Sequence, residues 1–334
     1  MRVRRRALIA GIGSAVALLI LAGGFFLLTG GKPAAKPAAN RHKTPATRLY
    51  SPFTGEPVKS LSRELIFKID NVPQARPPTG LAKADIVYLL PVEGGLSRIF
   101  AVFSSHFPPV VGPVRSSRAE DIELLRQFGR PAFAFSGAQP HLLPVVEHAR
   151  IVDLYAGIAG GYYRDNSRVA PYNLYAKTRQ LLAEARGATR AKDIGFRFGP
   201  APPGGKPTSS YSVSYPAAAF TFRWSASQHR WLSLMDGKPA LAAGGGQLGG
   251  RTVIIQSVVI GASHFRELGI KPPYANTAGS GTAVVLRNGR AYHVAWSRPR
   301  ADGGTKFTLP DGRRMLFARG QVWVVYKAGP GSAR

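Results

Sequence analysis

A long uncharged apolar segment near the N-terminus constrains this chain more than any other feature. Residues 7–29 contain no charged side chain, and they follow a basic stub at residues 1–6 that holds four arginines. As an α-helix the segment would extend about 34 Å, more than the roughly 30 Å of a bilayer's hydrocarbon core. Because the arginines precede it, the positive-inside rule places the stub in the cytoplasm. We therefore predict one transmembrane helix in the cell membrane and an extracytoplasmic body.

The same segment has an alternative interpretation as a signal peptide that is cleaved after export. Small residues at 22–24 fit a cleavage site, but large apolar residues follow at 25–28 and suit a membrane span better. Residues 30–46 are rich in proline, alanine and lysine, so we predict a disordered linker. The chain has no cysteine, which excludes disulfides, thiolate metal sites and lipid attachment through a cysteine.

The chain is strongly basic, with 45 lysines and arginines against 17 acidic residues and a net charge of +28. Without the four arginines of the stub the net charge is still +24. Such a field attracts polyanions, namely nucleic acid, anionic lipid headgroups or the phosphate-bearing polymers of a cell wall. A GC-rich genome is an alternative source of the same composition. Nucleic acid is the least favoured partner, because basic motifs interleaved with aromatic residues are missing from the sequence.

The pattern of apolar residues after the linker predicts an α+β fold in two domains. Residues 47–203 alternate short strands with short helices, which is typical of a mixed α/β domain. Residues 209–328 consist of strand-like runs separated by Gly, Pro and Asp turns. We expect this C-terminal domain to be all-β, either a sandwich or a partly closed barrel. Hairpin turns are predicted at Asp236-Gly237, Asn288-Gly289 and Asp311-Gly312.

Charged side chains at the ends of the first predicted strands indicate a ligand site. If the strands at 65–69 and 84–90 are antiparallel neighbours, Asp70 at the end of the first lies beside Asp85 at the start of the second. The turn at Gly94-Gly95 then reverses the chain, so the third strand runs antiparallel to the second and ends on the Asp70 side. The segment that follows the third strand brings two arginines to the same edge. We expect this edge to hold the following anion-binding or ligand-binding candidates: Asp70, Asn71, Arg76, Asp85, Arg115, Ser116 and Arg118.

The predicted edge has the chemistry that phosphate or pyrophosphate recognition needs. A guanidinium donates two parallel hydrogen bonds to an oxyanion, and the helix predicted after this segment would add unpaired N–H groups. Two carboxylates beside a phosphate can also share a Mg²⁺ ion. The alternative is that Asp70–Arg115 and Asp85–Arg118 are internal ion pairs that hold loops against the sheet.

The other titratable residues give no catalytic or metal-binding assignment. Glu93 and Arg98 flank the Gly94-Gly95 turn, and we expect them to form a structural pair at the edge opposite Asp70. The seven histidines lack the i,i+4 spacing of a metal site, and nucleotide-binding and nucleophile motifs lack a strand–turn–helix context. We predict no cofactor and no metal site. Whether the chain is an enzyme stays open, and a binding protein is favoured.

Several short motifs recur in a known family, namely Ser51-Pro52-Phe53-Thr54-Gly55, Ile69-Asp70-Asn71, Ala75-Arg76-Pro77-Pro78-Thr79-Gly80-Leu81, Ala84-Asp85-Ile86-Val87-Tyr88, Glu93-Gly94-Gly95-Leu96-Ser97-Arg98, Gly112-Pro113-Val114-Arg115-Ser116-Ser117-Arg118, Ala170-Pro171-Tyr172-Asn173-Leu174-Tyr175, Gly279-Ser280-Gly281 and Gly320-Gln321-Val322-Trp323. With these motifs the chain resembles the YerB-type extracytoplasmic proteins, a family of unknown biochemical function. The resemblance covers about residues 50–327 and implies two domains of separate family types and an envelope location, but no reaction. Members that are lipoproteins carry an anchoring cysteine, in whose place this chain has the apolar segment at 7–29.

Two functions are consistent with these features. The favoured one is a membrane-anchored envelope protein that binds an anionic cell-wall component or an envelope partner. The alternative is a Mg²⁺-assisted phosphotransferase that acts on a polyprenyl-pyrophosphate-linked wall precursor. This alternative rests on the order of Asp70, Arg76, Asp85 and Arg115, which is similar to that in LytR–CpsA–Psr phosphotransferases, although the characteristic sequence of that family is not present.

Overall fold

A computed structural model describes residues 48–266 and 269–332, which belong to one compact unit. The predicted stub at 1–6, transmembrane helix at 7–29 and linker at 30–46 lie outside the described residues. Within the described ranges, no helix has both the length and the apolar character needed to cross a membrane. The fold is mostly β, with 11% of helix, and the predicted contrast between a mixed α/β half and an all-β half stays a prediction.

A mixed sheet of eleven strands forms the centre of the fold. Ten strands follow the order β20-β19-β18-β15-β21-β2-β3-β1-β5-β6, and β9 pairs with β19. The three central strands β1, β2 and β3 are buried along their whole length, which explains their nearly continuous apolar sequence. The strands are β1 (Leu65–Asp70), β2 (Ile86–Pro91), β3 (Ser97–Phe103), β5 (Ala132–Phe135), β6 (Val152–Tyr155), β9 (Lys206–Pro207), β15 (Thr252–Val258), β18 (Gly279–Arg287), β19 (Arg290–Arg298), β20 (Lys306–Thr308) and β21 (Val322–Ala328).

The order of the first three strands corrects the predicted pairing. β3 lies between β1 and β2 and is antiparallel to both, so β1 and β2 are not neighbours. The register places Asp70 opposite Arg98 at one end of β3, and Ile86 opposite Val102 at the other end. The connection from 71 to 85 is therefore a crossover past β3. It contains two 3-10 turns, at Pro73–Ala75 and Leu81–Lys83, and is long enough to span the width of that strand.

A smaller sheet packs against one face of the large one. Phe222 of the small sheet stacks edge to face on Trp323, with 5.9 Å between the ring centroids. Tyr215 Oη donates hydrogen bonds to the carbonyl oxygens of Leu89 (3.1 Å) and Tyr326 (2.6 Å), which fixes the two layers together. The small sheet consists of β10 (Ser210–Tyr215), β11 (Ala218–Ser225), β12 (Arg230–Met235), β13 (Lys238–Pro239) and β14 (Gly249–Gly250).

The remaining strands form two small ribbons, and the helices are short. All three α-helices of the described chain precede residue 203, whereas the large sheet contains strands from both sides of that position. The division into domains at 47–203 and 209–328 stays a prediction. The remaining elements are β4 (Val110–Val111), β7 (Tyr162–Arg164), β8 (Leu174–Lys177), β16 (Ile260–Ala262), β17 (Pro273–Ala275), α1 (Ala119–Leu125), α2 (Leu143–Glu147) and α3 (Thr178–Glu184), with further 3-10 turns at Glu93–Gly95 and Arg126–Phe128.

Candidate functional site

The segment after β4 brings the candidate arginines to the carboxyl end of β1. β1 and β5 are parallel, but their pairing ends at Phe67 opposite Ala134. Beyond that point the segment 113–117 runs between them: Arg115 N donates to Lys68 O at 2.9 Å, and Ser136 N donates to Arg115 O at 3.1 Å. The carboxyl ends of parallel strands are where ligands bind in many sheets, because the diverging loops leave a crevice there.

Five charged side chains meet at this end, and we call them the Arg–carboxylate cluster. Asp70 contributes from β1, Glu93 from the turn before β3 and Arg98 from β3 itself, while the other two come from the inserted segment. The cluster holds three positive and two negative charges. Its members are Asp70, Glu93, Arg98, Arg115 and Arg118.

Glu93 is the centre of the buried half of this cluster. Its Oε1 accepts a hydrogen bond from Arg98 Nη2 at 3.0 Å, and its Oε2 accepts one from Arg118 Nε at 2.9 Å. Arg118 Nη2 also donates to Oε1, which makes the Arg118 pair bidentate. Burial raises the pKa of Glu93, but the hydrogen bond and charge of Arg118 and the charge of Arg98 outweigh it and lower the pKa to about 2. The carboxylate is therefore ionised at any physiological pH.

Asp70 and Arg115 form the part of the cluster that reaches the surface. Asp70 Oδ1 accepts hydrogen bonds from the backbone N–H groups of Asn71 (2.8 Å) and Val72 (3.3 Å). Arg115 Nε lies 2.8 Å from Asp70 Oδ2, an ion pair whose angles fall outside hydrogen-bond geometry. Arg115 is 27% exposed, and its two terminal nitrogens have no hydrogen-bond partner among the described residues. This guanidinium can therefore donate to an incoming oxyanion.

Hydroxyl and amide groups lie at the same end of β1 as the cluster. The Oγ atoms of Ser116 and Ser136 lie 3.4 Å apart, and both residues are partly exposed. Asn71 is buried and donates from Nδ2 to Ser97 Oγ at 2.8 Å, while its Oδ1 has no hydrogen-bond partner within residues 48–266 and 269–332. The predicted candidates Asp70, Asn71, Arg115, Ser116 and Arg118 are thus brought together, although Arg118 is engaged by Glu93.

Arg76 lies beside the cluster rather than in it. Its Nε and Nη2 donate to Asn71 O at 3.0 and 2.7 Å, and its Nη1 donates to Asp236 Oδ2 at 2.6 Å. The guanidinium thereby joins the loop after β1 to the β12–β13 turn, and its side chain is 18% exposed.

Asp85 is not at this edge, so the predicted meeting of Asp70 and Asp85 is wrong. β3 separates β1 from β2, which puts the two aspartates about 20 Å apart at opposite ends of a seven-residue strand. Asp85 is buried, and its Oδ2 accepts a hydrogen bond from Ser105 N at 2.8 Å. Burial raises the pKa of Asp85 to about 6, against the opposing effect of that hydrogen bond. The alternative pair Asp85–Arg118 is likewise not formed, whereas Asp70–Arg115 is.

The predicted pair of Glu93 and Arg98 is confirmed as a contact, but its predicted position was wrong. It lies at the same edge as Asp70, because Arg98 is the register partner of Asp70 across β1 and β3. The sequence also gave no assignment to Lys68, whose Nζ pairs with Asp121 Oδ1 at 2.6 Å beneath the cluster. The sequence signal for this buried ion pair was the single lysine within the otherwise apolar run of β1.

The structural role of Glu93 leads to a direct prediction. Glu93→Gln should lower the free energy of unfolding by about 2 kcal/mol, because two nearly buried guanidinium groups lose their charged hydrogen-bond acceptor. Urea denaturation measures this loss, and Asp311→Asn, which breaks an exposed pair with Arg313, is the matched control with a change below about 0.5 kcal/mol. Equal losses in the two variants would contradict a structural role for Glu93.

The fold and the cluster define a mostly β protein with a basic site at the end of parallel strands, and they assign it no reaction. The chain belongs to the DUF3048 family of proteins of unknown function: the N-terminal domain of that family matches residues 53–192 and the C-terminal domain matches residues 211–324. This confirms the predicted resemblance to the YerB-type proteins.

A protein of Bacillus subtilis resembles the chain both in sequence and in structure. A segment of 86 residues is 41% identical to the Bacillus subtilis protein named "Putative lipoprotein YerB" and spans 25% of this chain and 26% of that relative. The chain thus matches only about a quarter of the length of this relative. The crystal structure of the YerB protein from Bacillus subtilis superposes with a TM-score of 0.71 and 21% identity, over 84% of this chain and 97% of that one. The two proteins therefore share a fold.

Proposed function

We propose that the chain is a membrane-attached protein of the cell envelope whose body binds an anionic cell-wall component at the Arg–carboxylate cluster. The relative named as a lipoprotein supports attachment to a membrane, and the apolar segment at 7–29 would supply the anchor in a chain without cysteine. The net charge of +28 supports an anionic partner, because it draws polyanions to the protein surface.

One observation carries the assignment of the site. Arg115 uses Nε to pair with Asp70 and leaves two terminal nitrogens without a partner in the described chain, on a side chain that reaches the surface. A guanidinium with two parallel free N–H groups is suited to bind two oxygens of one phosphate or carboxylate. Glu93 neutralises much of the charge of Arg98 and Arg118, so Arg115 is the member of the cluster available to a ligand.

The phosphotransferase alternative loses its proposed residue set. It requires Asp70 and Asp85 beside the same phosphate, and these residues lie at opposite ends of β3. An envelope protein with an acidic surface stays a second kind of partner for the same site, and the experiment below distinguishes it from a phosphate polymer.

Arg115→Ala should weaken the binding of pyrophosphate and of polyphosphate to the full-length chain at least tenfold, because a charge-assisted hydrogen-bonding pair is lost. Titration calorimetry in neutral nanodiscs measures the affinities at two salt concentrations. Polyglutamate of similar length tests whether a carboxylate polymer, a stand-in for an acidic protein surface, binds as well. Ser116→Ala is a second variant that leaves the Asp70 ion pair in place.

Arg300→Ala is the matched control, since Arg300 is 78% exposed and, among the described residues, its one ion pair is with the nearby Asp302. It removes the same charge, so we expect an affinity change below about twofold at moderate salt. If Arg115→Ala and Arg300→Ala weaken binding equally, the general positive charge alone attracts the polymer and the proposed site is wrong.

A further inference from the structure

An apolar cavity of about 440 Å³ lies beside Arg76, between the loop after β1 and the β12–β13 hairpin. Its floor consists of Met235, Ala240 and Leu248, which are buried members of the core between the two sheets. Its walls are Pro73, Pro77, Pro78, Pro239 and Leu241. A volume of this size falls within the range of small-molecule sites.

The walls of this cavity are held in place without a ligand. The backbone N–H of Ala243 donates to Pro78 O at 3.0 Å, and Arg168 donates from its two terminal nitrogens to Ala75 O and Pro77 O, each at 3.0 Å. The Arg76–Asp236 ion pair closes one side. Because proline fixes its own backbone angle, four prolines make the walls stiffer still. A preformed cavity loses little entropy when it is filled.

The lining determines what kind of group fits. Neither the floor nor the walls contain a side chain that hydrogen-bonds, so a sugar or a peptide amide would lose its hydrogen bonds to water there. No aromatic ring lines the cavity either, which removes the stacking surface on which sugars and bases are usually bound. The lining therefore favours a flexible aliphatic chain.

The rim determines what is attached to that chain. Lys238 is exposed at the cavity edge and has no acidic partner among residues 48–266 and 269–332, and the Arg76 guanidinium lies on the same rim. Asp236 is the one acidic residue of the lining and is already paired with Arg76. The rim thus complements a negatively charged head group.

We propose that this cavity binds the aliphatic chain of an anionic amphiphile, with the head group at the Lys238 and Arg76 edge. Burial of the chain against the apolar floor would supply most of the affinity, since the gain grows with the apolar surface removed from water. The site goes beyond the proposed polymer binding, because the cavity does not contain Arg115 and takes a different part of a ligand.

A photoreactive decyl phosphate tests the proposal on the full-length chain in phosphatidylcholine nanodiscs. With a diazirine at the end of the alkyl chain, we expect the cross-links to fall on peptides 73–78 and 235–248. Excess decyl phosphate should abolish the labelling, decanol should compete at least fivefold less well, and inorganic phosphate should not compete. Labelling spread over the whole surface, or equal competition by inorganic phosphate, would overturn the proposal.

Two variants locate the site and one serves as control. Leu241→Asp places a charge in the wall at a side chain that is 52% exposed, so the fold should tolerate it, and labelling should fall at least tenfold. Ala240→Leu fills the cavity from its floor without a new charge and should reduce labelling similarly. Ile158→Asp, at an apolar side chain that is 68% exposed and outside the lining, should leave labelling unchanged.

The outcome is separable from that of the proposed polymer site. Leu241→Asp should leave pyrophosphate affinity unchanged, and Arg115→Ala should leave the labelling of 73–78 and 235–248 unchanged. Unaltered labelling in both Leu241→Asp and Ala240→Leu would show that the cavity is not the binding site.

Discussion

Replacing Lys68 by methionine is expected to lower the free energy of unfolding by about 3–5 kcal/mol. The Lys68 ammonium and the Asp121 carboxylate are both fully buried, with Nζ and Oδ1 2.6 Å apart. A buried pair stabilises little relative to apolar residues, but the loss of one partner leaves an uncompensated charge in the core. Here the effect is compounded, because Glu120 is also fully buried and its carboxyl oxygens have no hydrogen-bond partner in the part of the chain that the structure describes.

Urea denaturation followed by tryptophan fluorescence measures this loss, since Trp231 and Trp323 are fully buried. The double variant Lys68→Met with Asp121→Asn should recover at least half of it. Asparagine removes the orphaned charge but keeps an oxygen for the Arg118 N–H that now donates to Asp121 Oδ2 at 2.8 Å. Asp302→Asn, at an exposed pair, should change stability by less than about 0.5 kcal/mol. A loss below about 1 kcal/mol for Lys68→Met would contradict this account.

The individual strands around the site were predictable because their signals are local. The runs that form β1, β2 and β3 are almost wholly apolar, as strands buried on both faces must be. The turn at Gly94-Gly95 needs positive φ at both residues, 70° and 69°, which glycine adopts without strain. These features depend on neighbouring residues, and they placed each element within one or two residues of its observed ends.

The arrangement of the strands was not predictable from the same signals. An apolar run shows that a strand is buried, but it does not show which strand lies beside it. β1 could pair with β2 or with β3 and bury the same residues in either case. Only the pairing with β3 places Asp85 at the end of β3 opposite Asp70. The pairing of β2 with β21 joins segments more than two hundred residues apart, and no local pattern encodes it.

The helix after the cluster shows a smaller error of the same origin. Ser117 and Glu120 have the spacing of a capping box, which predicts a helix that starts at Ser117. In the structure α1 begins at Ala119, and Asp121 accepts the Arg118 N–H. Asp121 occupies that position because its other oxygen pairs with Lys68 across the sheet. Glu120 instead turns into the core. A long-range ion pair thus decided which of two adjacent carboxylates caps the helix.

The buried carboxyls predict that the protein becomes less stable as the pH rises from about 5 to about 9. Burial raises the pKa of Glu64 to about 9, against the opposing charge of Lys192. Burial also raises the pKa of Glu120 to about 7, against the charge of Lys68, and Asp121 adds to the rise. Both carboxyls are therefore protonated in the folded state at a pH where the unfolded chain has released its protons.

The sign of the effect follows from proton linkage. Between the unfolded pKa near 4.5 and each folded pKa, the folded state binds more protons, so its stability is fully present below pH 4.5 and is lost as the pH rises through the folded values. For Glu120 alone the loss is on the order of 3 kcal/mol by pH 8. Unfolding free energies at pH 5, 6, 7, 8 and 9 measure it.

Glu64→Gln and Glu120→Gln should each flatten this pH profile, because an amide is neutral at every pH in the range. Glu64→Gln removes the Glu64 contribution over the whole range from about pH 4.5 to 9, and with it the loss between pH 7 and 9. Glu120→Gln removes only the Glu120 contribution below about pH 7, so the double variant should show the least pH dependence. Glu56→Gln, at an exposed side chain, should follow the unaltered protein. A wild-type profile that rises with pH, or one that neither substitution changes, would contradict this prediction. It would mean that the two carboxyls reach solvent or a cation when they ionise. The burial that raises their pKa would then be absent in solution.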